Sequence, residues 1–261
     1  MRTPFLLAVS LVTFLATPAA QAATVSVCAD PDPPPWTYWV RDDQNKHGEA
    51  FVGFSVDTIR TAFSRLGTEV KFIGTLPWAR CLKMVAAGEI DFAMDAYFDK
   101  ERAKTFAYST HYNTLTPQIF YLSPKQLSIT SIGDLKRYKG CGLLGASYAH
   151  YGLKNEDMDL GVNTYDLMIK KLKAGRCDYF PEELEVIAGF KGLGRDYLAD
   201  PELRHLPVSD AKSPAKHLIT ARGSKSEKLL PELNKALDGM IKSGEAAQIW
   251  KKHSQNSGYT P

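Results

Sequence analysis

The sequence predicts an α/β fold of two lobes, each a mostly parallel sheet flanked by helices, joined by a hinge that the chain crosses twice. Three observations carry this. Strand-length apolar runs alternate with helical periodicity in a βαβαβ rhythm, the signature of a parallel sheet covered by helices. One plan occurs twice, as Ala87-Gly88-Glu89-Ile90-Asp91-Phe92 and as Ala174-Gly175-Arg176-Cys177-Asp178-Tyr179: helix end, cap glycine, two residues, aspartate, aromatic. Two lobes built on one scheme give such a repeat, as does convergence on αβ-loop chemistry. Finally, the pattern after Asp210 returns to a strand and helices that fit the first lobe. The chain then crosses near Pro117–Leu122 and again near Pro207–Lys216, leaving a cleft suited to closing around a small molecule.

Each element has a local reason. Residues 1–22 carry one charge, Arg2, an apolar run from Phe5 to Ala16 and a small-x-small site at Ala20-Gln21-Ala22. That is a cleavable secretory leader, too short to span a bilayer stably. Val25 to Ala29 reads as a strand ending in the proline-rich turn Asp30–Pro35, with Trp36, Tyr38 and Trp39 on a loop. Phe54 and Ser55 open a helix: Ser55 is the expected N-cap, Ile59, Phe63 and Leu66 its inner stripe, Gly67 its stop. Val70 to Ile73 is a strand. Pro77 starts a helix whose apolar stripe is Trp78, Cys81, Leu82, Val85 and Ala86, and Gly88 ends it. Ile90 to Met94 fits a buried strand, and Asp95, Tyr97, Asp99 and Arg102 gather where it ends. Ligands bind at that end of open α/β sheets.

In the second half, Gln118–Leu122, Gly140–Gly145 and Cys177–Phe180 read as strands. Asn163 or Thr164 caps a helix carrying Leu167, Met168 and Leu172. His217–Ala221 is the returning strand, followed by a helix from Leu229 to Met240 and a short one containing Ile249 and Trp250. The expected division is therefore leader 1–22, first lobe 23–117 plus 217–261, second lobe 118–216.

The chain has 261 residues, with 32 basic and 29 acidic side chains and a formal net charge of +3. Loss of the leader removes one positive charge. Nothing in that balance calls for nucleic acid or an anionic membrane. Cys28, Cys81, Cys141 and Cys177 form no metal-binding spacing. In an oxidising compartment they allow three disulfide connectivities, of which Cys28–Cys81 with Cys141–Cys177 keeps each pair within one lobe.

Taken in order, several short motifs resemble the bacterial periplasmic solute-binding proteins of family 3, which include the polar amino-acid receptors of ABC importers. They are the first strand leading into Asp30–Trp36, Phe51-Val52-Gly53-Phe54-Ser55-Val56-Asp57, Leu76-Pro77-Trp78-Ala79-Arg80, and Gly88-Glu89-Ile90-Asp91. Glu101-Arg102-Ala103 with Phe106 and Ser109, Gly145-Ala146-Ser147, and Gly175-Arg176-Cys177-Asp178 complete the set. The resemblance covers nearly the whole chain after the leader. It implies the type II periplasmic binding protein fold, no catalysis, no cofactor or metal, a monomer in the periplasm, and an inner-membrane ABC permease as partner.

It also implies roles for particular residues. Trp78 would stack on the ligand, although its apolar stripe suits core filling equally. Arg102 would grip a ligand carboxylate, the bidentate pairing that guanidinium does best. Ser147 and Tyr148, beside Gly145 and Ala146, would complete the carboxylate site with donors at a helix start. Glu182 or Glu183 would take an ammonium group.

The departures are informative. Asp95-Ala96-Tyr97-Phe98-Asp99 replaces the Ser/Thr-rich loop usual before the arginine. An aspartate there would partly neutralise Arg102, while Asp95 could receive a cationic group and Arg80 could serve as the anchor instead. Trp36, Tyr38, Tyr97 and Tyr112 would give an aromatic-rich pocket. The expected ligand is small and polar, an amino acid or related zwitterion. Two other functions fit the scaffold: an enzyme like the family's cyclohexadienyl dehydratases, and a ligand-sensing or accessory protein. No histidine motif or nucleophile–base pair singles out the enzyme.

Overall fold

The computed structural model describes residues 23–30, 33–41, 47–254 and 258–261. The expected leader lies outside them. In chain order the strands are β1 (Ala23–Cys28), β2 (Tyr38–Arg41), β3 (His47–Val52), β4 (Thr68–Ile73), β5 (Phe92–Tyr97), β6 (Phe106–Thr114), β7 (Pro117–Leu122), β8 (Gly140–Leu143), β9 (Met158–Val162), β10 (Tyr179–Glu183), β11 (Leu203–Pro207) and β12 (Ala215–Ala221). The helices are α1 (Phe54–Ser64), α2 (Trp78–Ala86), α3 (Tyr165–Lys173), α4 (Leu184–Gly189), α5 (Leu230–Lys242) and α6 (Glu245–His253).

Two five-stranded sheets organise the chain, in the orders β4-β1-β5-β12-β6 and β11-β7-β10-β8-β9. Both are mixed. β1 pairs parallel with β4 and β5, whereas β12 is antiparallel to β5 and β6. In the second sheet β8 pairs parallel with β9 and β10, whereas β7 is antiparallel to β10 and β11. Each sheet thus has one strand opposing the others, and it is the strand that has just arrived from the other sheet. A chain entering from the hinge must run away from it, while the remaining strands run toward it. Their carboxyl ends therefore face the space between the sheets.

The crossings are short and fall slightly off the expected boundaries. Pro117 already pairs with Glu183 in the second sheet, and Lys216 already pairs with Tyr97 and Asn113 in the first.

Several local expectations change. Tyr38 and Trp39 are in a hairpin, not a loop: β2 pairs antiparallel with β3, and the Trp39 ring packs tilted against Phe51, with centroids 5.1 Å apart. Ser55 is not the cap of α1. Gly53 holds that position with φ 137°, a conformation that glycine alone adopts easily, and a Cβ there would run into the Trp36 carbonyl. The strand expected from Ile90 begins at Phe92, and the one expected from Cys177 begins at Tyr179 and runs on to Glu183. Thr164, not Asn163, caps α3, accepting the Leu167 N–H at 3.3 Å.

The first sheet is covered on one face by α1, α5 and α6, whose Phe54, Phe63, Leu237 and Trp250 pack with Phe92 in one core. The other face carries α2 through Cys81 and Val85. The second sheet separates two smaller cores, around Phe120 and Phe180 and around Tyr151 and Tyr179. Disulfides join Cys28 to Cys81, tying β1 to α2, and Cys141 to Cys177, tying β8 to the turn before β10.

Candidate functional site

The strand ends meet at a cavity of about 330 Å³ between the two sheets, within the range of small-molecule pockets. From the first sheet come Trp78 and Arg80 on the opening turn of α2, Asp95 and Tyr97 at the end of β5, and Arg102. From the second come Ser147 and Tyr148 after β8, and Glu182 and Glu183 at the end of β10.

Asp95 is built with unusual care. Its φ of 67° is the only positive value among the described non-glycine residues, a strained backbone that needs local support. The Tyr112 hydroxyl supplies it, accepting the Asp95 N–H at 2.9 Å and donating to Asp95 Oδ1 at 2.8 Å. Ser55, freed from capping, donates to the same oxygen at 2.6 Å. Tyr112 is therefore fully buried beneath the site and holds Asp95 from below.

Glu182 and Glu183 both line the cavity, which answers which of the two turns inward: the last turn of strand brings in both. Glu183 accepts the Tyr97 hydroxyl at 2.6 Å and lies 2.8 Å from His150 Nε2. Burial drives the His150 pKa down to about 4, so the contact is a neutral imidazole N–H donating to a carboxyl oxygen and not an ion pair. Glu182 accepts the Tyr165 hydroxyl at 2.9 Å and the Glu183 N–H at 3.0 Å. Burial, then the neighbouring Glu183, pushes its carboxyl well above the usual range, so it is held as a neutral acid.

The two walls touch. Gly145 O accepts hydrogen bonds from Trp78 Nε1 at 3.1 Å and Arg102 Nη2 at 2.8 Å, and Ser147 Oγ donates to Asp99 Oδ2 at 2.7 Å. Gly145 has φ 84°, and a Cβ on it would lie 3.0 Å from the Ala79 Cα across the gap. Together with the bond from Tyr97 to Glu183, these contacts hold the cleft closed. Arg102 is thus engaged with backbone carbonyls, its Nη1 reaching Tyr97 O at 3.3 Å. Asp99, not Asp95, is the carboxylate beside it, accepting the Arg102 N–H at 2.9 Å.

Nine of the ten residues expected at the site line the cavity. Trp36 does not: it is fully buried, its Nε1 donates to Asn113 Oδ1 at 2.6 Å, and it forms a layer behind Lys216. Tyr38 is also remote, bonded to His253 at 3.2 Å. Sequence reasoning missed Lys216 and Tyr165. Lys216 reads as an ordinary polar strand position, and only the pairing of β12 between β5 and β6 brings it inward. Among the described residues, no group of three or more His, Cys, Asp or Glu could hold a metal ion, and no helix is long and apolar enough to cross a membrane.

Residues 25–256 match the family model for bacterial extracellular solute-binding proteins, family 3. A probable ABC transporter extracellular-binding protein of Bacillus subtilis (strain 168), YckB, is 26% identical over 179 residues, covering 65% of this chain and 60% of that protein. The match therefore spans less than two thirds of that relative. Among solved structures, the arginine-, lysine-, histidine-binding protein ArtJ of Geobacillus stearothermophilus superposes with TM-score 0.70 at 18% identity, covering 90% of this chain and 96% of that one. The amino acid ABC transporter substrate-binding protein AbpA of Streptococcus pneumoniae Canada MDR_19A, bound to L-arginine, gives 0.69 at 22%, covering 88% and 94%. At these identities the structures show a shared fold, that of type II periplasmic binding proteins. Two sheets crossed twice by one chain, a cavity at their facing strand ends, and a family match over nearly every described residue converge: the chain belongs to the bacterial extracellular solute-binding proteins, family 3.

Proposed function

We propose that this protein captures a small polar solute, an amino acid or a related molecule, in the inter-lobe cavity and delivers it to an ABC importer. The observation that carries the proposal is a cavity of about 330 Å³ with Arg80, Lys216 and Asp95 on one wall and Glu183 on the other. Such a lining suits a zwitterion and gives each lobe a share of the ligand, so binding favours closure. Trp78, Tyr97 and Tyr148 provide ring surface, while Arg102 and Ser147 fasten the lobes around it. The protein acts as an exported periplasmic monomer that hands its cargo to an inner-membrane permease.

A thermal-shift screen of amino acids, polyamines and small organic acids tests this. Binding to the native state alone stabilises it by about 2.7 kcal/mol at a hundredfold excess over Kd. A panel without a single shift rejects solute capture. One observation favours a second reading, an enzyme on the same scaffold: Glu182 is a neutral acid inside the cavity, the state a general acid needs. Mass spectrometry of any hit after incubation separates the two, since consumption of the hit favours the enzyme and its recovery intact favours the receptor.

A further inference from the structure

We infer that Lys216, in concert with Asp95, is the ligand's anchor and selects a compact anion bearing an N–H or O–H on the adjacent carbon, as in an α-amino or α-hydroxy acid. This rests on the solute-capture reading and names the chemistry of that site.

Lys216 lies on β12 between Tyr97 of β5 and Asn113 of β6. Its side chain is only 4% exposed, yet it lines the cavity. The ammonium donates no hydrogen bond to any described residue. It stands 4.3 Å from the centre of the Trp36 ring, 5.4 Å from that of Tyr97, and 4.0 Å from Asp95 Oδ1. The aromatic faces steady the charge without using an N–H, and 4.0 Å is too long for a hydrogen bond. Its N–H donors are therefore open to whatever occupies the cavity.

Asp95 supplies the second, independent observation. Its Oδ1 already accepts from Ser55 and Tyr112. Its Oδ2 is buried and has no partner, and the side chain is only 9% exposed. Two cavity-lining residues therefore stand together, one with free donors and one with an unpaired acceptor.

This pairing discriminates. A bare cation at Asp95 meets the Lys216 ammonium close by. A bare anion at Lys216 leaves Asp95 Oδ2 unpaired. A carboxylate with a neighbouring ammonium or hydroxyl satisfies both at once. Arg102 spends two of its five N–H donors on the carbonyls of Gly145 and Tyr97, fastening the lobes, whereas Lys216 has spent none.

The test uses the full exported protein and four sets of probes: L-amino acids, the matching α-hydroxy acids, the deamino carboxylic acids and the amino-acid amides. Calorimetry is expected to show binding in the first two sets and a Kd at least tenfold weaker in the last two. Lys216→Met, which keeps the stem on Trp36, is expected to weaken the bound probe by about 30-fold, the size of a lost charge-assisted hydrogen bond. Lys216→Arg should stay within a few fold of the parent. If Lys216→Met does not fold, Lys216→Gln gives the same reading. Amides bound as tightly as acids, or an unchanged Kd in the Met variant, overturns the anchor while leaving solute capture standing. Silence of the parent protein towards every probe overturns both.

Discussion

Ser147→Ala probes the clasp between the lobes most cleanly, because it removes one hydroxyl and adds nothing. In the closed arrangement Ser147 Oγ donates to Asp99 Oδ2 at 2.7 Å. Burial alone would raise the Asp99 carboxyl, but the Arg102 N–H and the Ser147 hydroxyl hold it below the ordinary range. The acceptor is therefore ionised. Hydrogen bonds to charged groups contribute about 1.5–3 kcal/mol. Asp99 keeps its bond from the Arg102 N–H at 2.9 Å and is only part-buried, so water can replace the lost donor. The lower end, ~1.5 kcal/mol, is expected, and it is felt only when the lobes meet. The closed-to-open ratio of the ligand-free protein should then fall about tenfold. Single-pair energy transfer across the cleft and small-angle scattering both read that ratio. A cycle with Asp99→Asn should return a coupling of ~1 kcal/mol or more. A closed fraction equal to the parent's, with no coupling, refutes the clasp.

Other perturbations have equally definite outcomes. Glu182 is held protonated in the fold, so its contribution is present below its ordinary 4.5 and lost as pH rises through the folded pKa. Glu182→Gln should therefore be more stable than the parent at pH 8 and equal to it near pH 4 in urea melts; equal midpoints at both sink the assignment. His150 has the opposite sign: its pKa of about 4 against an ordinary 6.5 means stability is lost as pH falls between those values, by about 3 kcal/mol. His150→Gln should flatten that decline. Replacing Cys28 and Cys81 by serine opens a loop with a sequence separation of 53 and should cost about 4 kcal/mol. Gly53→Ala, at φ 137° and against the Trp36 carbonyl, should cost ~3 kcal/mol, read as a lowered Tm.

Local chemistry made much of the fold legible. Gly88 and Gly175 both take the left-handed conformation that their cap positions predict, with φ 74° and 67°. The stripe from Trp78 to Val85 faces the sheet through Cys81 and Val85. What escaped was set by partners far away in sequence. The hairpin of Tyr38–Arg41 exists because His47–Val52 returns to pair with it, and the prolines before it read as loop. Ser55 looked like a cap, but Asp95, forty residues on, competes for its hydroxyl. Lys216 is the sharpest case. A lysine beside Ala215 and His217 looks solvated, and its burial follows from a strand order in which β12 fills the gap between β5 and β6. Trp36 reads as part of an aromatic-rich pocket because aromatic side chains in a loop suggest one. The ring instead supports the ammonium that faces the cavity.

The position of β12 also sets an order of assembly. The second sheet is drawn from one uninterrupted stretch, β7 to β11, and is complete once residue 207 is available. The first sheet is not. β6 has β12 as its sheet neighbour, and β5 has β12 on one side, so until residues 215–221 arrive the first sheet is β4-β1-β5 with β6 detached. A chain emerging N-terminus first therefore finishes its second lobe, with the Cys141–Cys177 bridge, before its first can close. The first lobe waits with the apolar edge of Phe92–Tyr97 uncovered, and that interval is when the chain is most exposed to aggregation and to proteases.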